Sequence, residues 1–354
     1  MGRFCLSQMS TDRKTSPVFV MGCHRSGTNL LYDTLLSAGG FAVYRGYLPV
    51  HKILIPRFGG FERVENRKRA LEAWLRSKGF RRSGLNAEEL SAEVMANCEN
   101  GGDFIRIVMN RIARQQNVAR WAVYDPDSLL HLPRVKRDIP EALFIHIVRD
   151  GRDIALSLKK MDGFRPLPWD RHSRSLVSTG IYWAWMVSKG RQHGSRFPAD
   201  YLEIHYEDLV ADPKRTLSKL SEFLDQELDY DRIQGVRLGR LSESNSSFRG
   251  EEQQQSPVNR WQGRLSAAEL VAIESAIRDT LREFGYVPTT PRHGSLRDLG
   301  NPARRWFYQA LFETKLWLKT RTAAGRLANL SALELENPEN LPGNSEPGDT
   351  APSL

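Results

Sequence analysis

Cysteines and long apolar runs are both scarce in this sequence. Only three cysteines occur, Cys5, Cys23 and Cys98, an odd number without the spacing of a zinc site or a disulfide framework. No stretch approaches the roughly 18 consecutive apolar residues of a membrane-spanning helix. Residues 1–16 also lack the apolar core of a signal peptide. We therefore expect a cytoplasmic protein in a reducing compartment.

Acidic residues are in the minority. The 354 residues include 51 Lys and Arg against 42 Asp and Glu, which gives a formal net charge of +9. A basic balance favours an anionic partner, such as phosphate, sulfate, a nucleic acid or an acidic membrane surface. Because no recognised nucleic-acid motif or basic aromatic platform is present, we expect no nucleic-acid partner.

Strand-like and helix-like segments alternate along the chain. Short apolar, β-branched runs predict strands, and helical spacing of apolar residues follows several of them. The predicted strands lie at 17–22, 41–44, 121–124, 142–148 and 201–206. Alternation of this kind implies parallel βαβ units. We therefore predict an α/β fold with a P-loop-like central parallel sheet flanked by helices.

The sequence divides into four predicted parts. Residues 1–16 form a flexible N-terminus, and 17–286 form the main domain with a helical insertion at 61–120. A basic amphipathic extension follows over 287–336. The segment 337–354, rich in Pro, Gly and Asn, is predicted to be disordered because it cannot bury enough apolar surface.

Within the C-terminal extension, residues 301–330 have the pattern of an amphipathic helix with two tryptophans and many basic residues. Such helices usually pack on their own domain, which is the outcome we expect here. Peripheral membrane contact through 301–330 and a homodimer are the alternatives left open.

The first segment with recognisable chemistry is Gly22-Cys23-His24-Arg25-Ser26-Gly27-Thr28-Asn29, which joins a predicted strand to a predicted helix. Its glycines match the nucleotide-binding pattern G-x-x-x-x-G-K-[ST], but Thr28 replaces the lysine and Asn29 replaces the hydroxyl that ligates magnesium. Backbone N–H groups and the following helix N-terminus can still hold an anion. With Arg25 as its cation, the loop suits a sulfuryl group held without a metal better than a γ-phosphate.

A second group of polar residues follows the most apolar predicted strand. Arg149 ends that strand, and Ser157 comes eight residues later in a predicted helix. Ligands of α/β sheets bind outside the carboxyl ends of strands, so Arg149 lies beside the loop if the two strands are neighbours. A guanidinium and a hydroxyl there would suit a second phosphate of the same nucleotide. The alternative is that Arg149 only forms surface ion pairs.

Four segments together resemble the sulfotransferase superfamily, and most of all its tyrosylprotein-sulfotransferase-like branch with its bacterial relatives. They are Pro17–Gly22 with Arg25-Ser26-Gly27-Thr28, Ile147–Asp153 with Ser157, His205–Leu209 with Asp212-Pro213, and Pro257–Trp261. The resemblance implies transfer of a sulfuryl group from 3′-phosphoadenosine 5′-phosphosulfate (PAPS) to a hydroxyl or amine, with no metal.

The resemblance also implies roles for individual residues. The 5′-phosphosulfate would be held by Arg25, Ser26, Gly27, Thr28 and Asn29. The 3′-phosphate would be held by Arg149 and Ser157, and further cofactor contacts would come from Tyr206 and Arg260.

The base that takes the acceptor proton is harder to predict, because a base is identified by geometry before residue type. His51 follows the second predicted strand, and Asp125 and Asp127 follow the third. We predict one of these as the base, in the order His51, Asp125, Asp127.

Two departures from the tyrosylprotein-sulfotransferase pattern bear on the acceptor. Tyr44-Arg45-Gly46-Tyr47 stands where those enzymes have a glutamate, and Tyr124 stands where they have a lysine before Asp-Pro. We therefore predict a small-molecule, lipid or saccharide acceptor, in a pocket shaped by the 61–120 helices and a loop at 162–180. The alternatives are a nucleotide-binding or membrane-associated scaffold without catalysis and, less favoured, a P-loop kinase.

Overall fold

A computed structural model describes residues 13–161, 164, 167, 175–236, 238, 257–291, 296–327 and 330–333. Most of the predicted flexible N-terminus, most of 162–174 and the whole of the predicted disordered tail at 337–354 lie outside the described residues.

The described strands form one five-stranded parallel sheet, which confirms the predicted α/β fold. They are β1 (Val18–Met21), β2 (Phe41–Ala42), β3 (Arg120–Tyr124), β4 (Leu143–Val148) and β5 (Tyr201–His205). Their order is β2-β3-β1-β4-β5, with every neighbouring pair parallel. Because β1 lies between β3 and β4, the loops that leave the carboxyl ends of these three strands meet at one edge.

Helices cover the sheet on both faces. They are α1 (Thr28–Ala38), α2 (Ile55–Phe58), α3 (Val64–Leu75), α4 (Lys78–Arg81), α5 (Ala87–Asn97), α6 (Gly101–Gln115), α7 (Ser128–Asp138), α8 (Gly151–Lys160), α9 (Leu176–Gly194), α10 (Tyr206–Ala211), α11 (Pro213–Leu224), α12 (Tyr230–Val236), α13 (Ala267–Glu283) and α14 (Leu296–Arg321). A π-helical turn, Val50–Leu54, precedes α2.

Two apolar clusters, one on each face of the sheet, form the core. Successive side chains of a strand point to opposite faces. Accordingly Phe19 and Met21 join one cluster, and Val18 and Val20 join the other. All four residues of β1 and all six of β4 are buried, as expected for the inner strands of a sheet with both faces covered.

Helices α3 to α6 occupy the segment predicted to be a helical insertion, and they do more than cover the surface. Trp74 and Phe104 are fully buried in the larger apolar cluster. The Trp121 indole N–H, on β3, donates to Asn110 Oδ1 of α6 over 2.7 Å. The segment therefore contributes to the core around the sheet, while the predicted domain boundaries themselves stay a prediction.

Local chemistry explains where several helices begin. Ser266 and Glu269 form a capping box at the start of α13. The Asp212 carboxylate accepts the Arg215 N–H over 3.1 Å, and Pro213 opens α11. These polar groups satisfy N–H donors that the first helical turn leaves without partners.

The helices that were not predicted include two long ones, α7 and α9. Helix α7 contains Pro133, which interrupts the usual helical pattern. Helix α9 is buried on nearly every side, so it shows no amphipathic alternation. The loop predicted at 162–180 is helical from Leu176 onward, which corrects that prediction over its last five residues.

The C-terminal helix packs on the rest of the fold, as expected of an amphipathic helix. Phe312 of α14 is only 2% exposed, and its ring centroid lies 5.5 Å from that of Tyr182 and 5.3 Å from that of Trp185, both on α9. The Trp185 indole N–H also donates to Glu313 over 2.7 Å. None of the described helices has the length and apolarity needed to cross a membrane.

This packing predicts that the substitution Phe312→Ala lowers the free energy of unfolding by about 3 kcal/mol, because it leaves a cavity between α9 and α14. The matched control is Phe307→Ala on the same helix, where the ring is 53% exposed and the expected change is within about 0.5 kcal/mol. Chemical denaturation measures both. Equal effects would contradict the packing of α14.

Candidate active site

The loop from Gly22 to Asn29 forms a tight turn between β1 and α1. Gly27 has a φ of 94° and Arg25 a φ of 74°, both in the left-handed region. A Cβ atom on Gly27 would lie 2.3 Å from the Tyr206 ring, and one on Gly22 would lie 2.5 Å from the Ile147 carbonyl oxygen. Glycine is therefore required at both positions by the close approach of neighbouring groups, and at Gly27 by the backbone as well.

The residues predicted to bind the two phosphates contact each other. The Arg25 Nε–H donates to Ser157 Oγ over 2.8 Å, and Arg149 Nη1 donates to the Arg25 carbonyl oxygen over 3.3 Å. This contact follows from the adjacency of β1 and β4, on which the sequence prediction depended. Arg25, Ser157 and Arg149 therefore form one continuous polar group, which we name the arginine–serine group.

Arg149 is held firmly inside the fold. Its Nη2 donates to the Pro257 carbonyl oxygen over 2.7 Å and to Asp153 Oδ2 over 3.3 Å. Its guanidinium lies 4.4 Å from the centroid of the Tyr206 ring. Among the described residues, no group accepts a hydrogen bond from its buried Nε. Arg149 is thus preoriented and keeps one donor for a ligand.

Arg152, three residues after Arg149, has a structural role. Arg152 forms buried ion pairs with Asp150 at 2.7 Å and with Glu274 at 2.6 Å. Its guanidinium stacks on the Trp261 ring, 3.8 Å from the centroid. These contacts tie α8 to α13 and to the Pro257–Trp261 segment. The predicted alternative of surface ion pairs does not describe this region, because both arginines and their carboxylates are buried.

The remaining predicted cofactor residues lie around the same edge of the sheet. Ser26 and Thr28 are buried, and Asn29 is exposed on the first turn of α1. Burial raises the pKa of Tyr206, while the positive charges of Arg149 and Arg260 oppose that rise, which places Arg260 near this ring. The predicted cofactor residues thus lie at or near the carboxyl ends of β1, β4 and β5.

Asp125 and Asp127 lie beside the loop on its other side. The Asp125 N–H donates to the Val20 carbonyl oxygen of β1 over 3.2 Å, which fixes the start of this segment. Asp127 forms an ion pair with Lys52, and its carboxylate lies 3.4 Å from His24 Nε2 within the loop. We name these two aspartates the carboxylate pair.

The two carboxylates have opposite pKa shifts. Burial, and then the charge of Asp127, raises the pKa of Asp125 to about 6. Burial opposes ionisation of Asp127 too, but Lys52 and His24 hold the pKa of that carboxyl well below its usual range. Two neighbouring carboxylates with divergent pKa values are a common arrangement for acid–base chemistry.

His51, the first-ranked base candidate, lies elsewhere. Its ring is buried, and Nε2 lies 3.1 Å from Asp138 Oδ2 at the carboxyl end of α7. Asp127 precedes the other end of that helix, about 16 Å away at 1.5 Å per residue. Burial also lowers the pKa of His51, against a rise from Asp138. The His51 ring is therefore directed to Asp138 and not to the Gly22–Asn29 loop, whereas the carboxylate pair lies beside that loop. Which of the three residues is the base stays a prediction.

Residues 17–230, more than half of the chain, match the Sulfotransferase family. The chain belongs to the sulfotransferase family. Its motif segments at the loop, Arg149 and Tyr206 all lie inside the matched residues.

Individual relatives are distant. Protein-tyrosine sulfotransferase A of Caenorhabditis elegans is 24% identical over 296 residues, 81% of this chain and 72% of that protein. Mouse sulfotransferase 1B1 is 26% identical over 98 residues, 26% of this chain and 33% of that protein. A putative protein-tyrosine sulfotransferase of Caenorhabditis elegans is 24% identical over 149 residues, which are 42% of this chain and 54% of that protein. The chain therefore spans about half the length of this relative. The solved sulfotransferase domain of the Synechococcus PCC 7002 olefin synthase has 18% identity and a TM-score of 0.47, covering 78% of this chain and 96% of that chain.

In this sulfotransferase, several residues near the carboxylate pair were not predicted from the sequence. Lys52 stands directly after His51 but in a short π-helical turn, so no periodic pattern marks it. His24 lies inside the loop and could have been found there. Lys319 comes from α14, far along the chain. Burial, and then the charge of Lys52, lowers the pKa of Lys319 to about 8, with Asp127 opposing that fall.

Aromatic rings pack next to these charges. The His24 ring centroid lies 6.3 Å from that of Phe164, which lies 5.0 Å from that of Tyr182. The Lys52 ammonium lies 5.9 Å from the centroid of the Tyr47 ring. The region beside the carboxylate pair therefore combines aromatic side chains with fixed charge, a composition common in small-molecule sites.

The loop geometry predicts that Gly27→Ala weakens binding of 3′-phosphoadenosine 5′-phosphate (PAP) at least about tenfold, because the new methyl group displaces Tyr206 and strains the turn. The control is Gly84→Ala, where φ is also positive but no atom lies within 4 Å of the new methyl group. Calorimetric titration compares the two. Binding by Gly27→Ala as tight as by the control would show that the loop does not need this close approach.

Proposed function

We propose that this sulfotransferase transfers a sulfuryl group from PAPS to a hydroxyl or amine acceptor. One observation carries the proposal. The arginine–serine group lies on one side of the Gly22–Asn29 loop, and the carboxylate pair lies on its other side. Positive charge for a nucleotide and a base for an acceptor therefore meet at a single sheet edge.

The residues present fit a doubly phosphorylated nucleotide. The backbone N–H groups of the loop and the N-terminus of α1 can hold an anion, and Arg149 Nε is a buried donor with no acceptor among the described residues. The loop residues from Arg25 to Asn29 would hold the 5′ end, and Arg149 with Ser157 would hold the 3′-phosphate. Because Thr28 and Asn29 replace the lysine and the hydroxyl of metal-dependent loops, we propose that Arg25 supplies the charge.

When bound, PAPS supplies the activated sulfuryl group. Asp125 is the proposed base, since a pKa of about 6 leaves it ionised at neutral pH and still able to accept a proton. Asp127 remains ionised and holds Lys52 and His24 in place. Arg25 and the N-terminus of α1 place positive charge where negative charge develops on the departing oxygen.

The surroundings of the carboxylate pair bear on the acceptor. The half-buried Tyr47 and the buried rings of Phe164 and Tyr182 make these surroundings apolar, which suits a flat or apolar body as well as a sugar ring. These contacts support a small-molecule, lipid or saccharide acceptor.

A protein tyrosine is the second candidate acceptor. It is supported by the nematode protein-tyrosine sulfotransferase A, whose match covers 81% of this chain. The departures at Tyr44–Tyr47 and at Tyr124 weigh against it, because they remove two residues typical of that branch. An acceptor panel that includes tyrosine peptides separates the two.

The proposal predicts that labelled PAPS, incubated with the protein and a cell extract, transfers label to discrete acceptors. Arg149→Ala should reduce the transfer rate at least about tenfold, since it removes a charge-assisted contact to the nucleotide. Arg114→Ala, at an arginine whose side chain is 67% exposed on α6, should leave the rate unchanged. Nucleotide binding without any transfer would instead favour a scaffold without catalysis.

The pKa of Asp125 predicts the pH profile. As the pH falls through about 6, Asp125 becomes protonated, so kcat/KM should fall on the acid side. Asp125→Asn should lower kcat/KM roughly 10²-fold or more. The activity that remains should no longer fall on the acid side. Asp127→Asn removes the negative charge that raises the pKa of Asp125, so its remaining activity should keep an acid limb moved to lower pH. An unchanged limb in Asp125→Asn would exclude it as the base.

A further inference from the structure

The two long sides of α14 differ in their surroundings. The inner side packs on the fold through Phe312, with Tyr308 and Leu316 partly buried against the same cluster. The opposite side carries four large apolar side chains in contact with solvent. They are Trp306 at 72% exposed, Phe307 at 53%, Trp317 at 57% and Leu318 at 41%.

These four side chains share one face of the helix. Each residue turns the helix by about 100°, so Trp306 and Trp317 project almost together, and Phe307 and Leu318 project together about 100° further round. We name this surface the outer face of α14. Within the described chain, every large aromatic side chain that is substantially exposed belongs to it. Such a concentration of exposed aromatic surface marks an interaction site.

Cations predominate on the outward side of this helix. Arg304, Lys315 and Arg321 are exposed there or at its margins. The only carboxylate among the described side chains of residues 303–321 is Glu313, which lies at the Trp306 margin and forms an ion pair with Lys189 of α9 at 2.8 Å. The outer face therefore combines tryptophan and phenylalanine with cations, and the charge of its one neighbouring carboxylate is compensated by Lys189.

This chemistry distinguishes between occupants. Exposed Trp, Phe and Leu beside Lys and Arg are typical of helices that lie in the interface of an anionic bilayer. A second copy of the chain would bring the same cations face to face, which opposes self-association.

We propose that the outer face of α14 binds an anionic membrane surface, with its aromatic side chains at the boundary of headgroups and acyl chains and its cations on lipid phosphates. The helix lies parallel to the bilayer rather than across it, because its inner side is packed on α9 and α13. This inference is independent of the proposed sulfuryl transfer. It also places the bilayer about one helix diameter, roughly 10 Å, from the inner side of α14 that carries Lys319.

The test is cosedimentation of the full chain with vesicles of phosphatidylcholine alone and of phosphatidylcholine with phosphatidylserine in a two-to-one ratio. Binding should be stronger to the mixed vesicles and should weaken as salt is added. The double variant Trp306→Ala with Trp317→Ala should lose at least about tenfold in binding. Val64→Ala with Val287→Ala, which removes exposed apolar groups elsewhere, is the matched control and should bind like the wild type.

A variant with fewer positive charges provides a second, independent test of the proposal. Arg304→Gln with Arg321→Gln should weaken binding to the mixed vesicles by about fivefold per cation while leaving binding to phosphatidylcholine nearly unchanged. Thermal unfolding and light scattering accompany each variant. The proposal would be overturned if the wild-type protein bound neither kind of vesicle. It would also be overturned if the variants bound like the wild type. A wild-type dimer that the tryptophan variant converts to a monomer would overturn it too, since that result assigns the face to a second copy.

Discussion

The contact between Arg25, Ser157 and Arg149 is the interaction on which the account of this protein depends. It joins the loop after β1 to the loop and helix after β4, and it gathers two guanidinium groups at one sheet edge. Asp153 compensates part of this charge, and a buried Arg149 donor stays without an acceptor among the described residues. Concentrated positive charge with a donor to spare is the physical signature of an anion site.

The rest of the fold supports that contact. The adjacency of β1 and β4 brings the two segments together, and the ion pairs of Arg152 with Asp150 and Glu274 fix the start of α8. Tyr206 lies against Gly27 on one side and under the Arg149 guanidinium on the other. The same packing that builds the core therefore also orients the binding groups before any ligand arrives, which limits the ordering that binding requires.

How far the sequence could be interpreted depended on whether a signal was local. The strands, the Gly22–Asn29 loop and Arg149 were predictable because apolar runs, glycines and a charged residue at a strand end are local features. Helix α9 was not, because burial on all sides removes the periodicity that marks a helix. His51 was a candidate because it follows a predicted strand, and only the fold showed that its ring lies against Asp138. Lys319 of the C-terminal helix lies close enough to Lys52 and Asp127 for their charges to act on its pKa, a juxtaposition that no local pattern encodes.

The measurement that tests the central claim most directly is calorimetric titration of the wild-type protein with PAP and with adenosine 5′-monophosphate, which differ only in the 3′-phosphate. If the arginine–serine group engages both ends of one nucleotide, PAP binds at least about tenfold more tightly, and added salt reduces the difference. Equal affinities for the two ligands would contradict the account, because they would leave the second phosphate without a site.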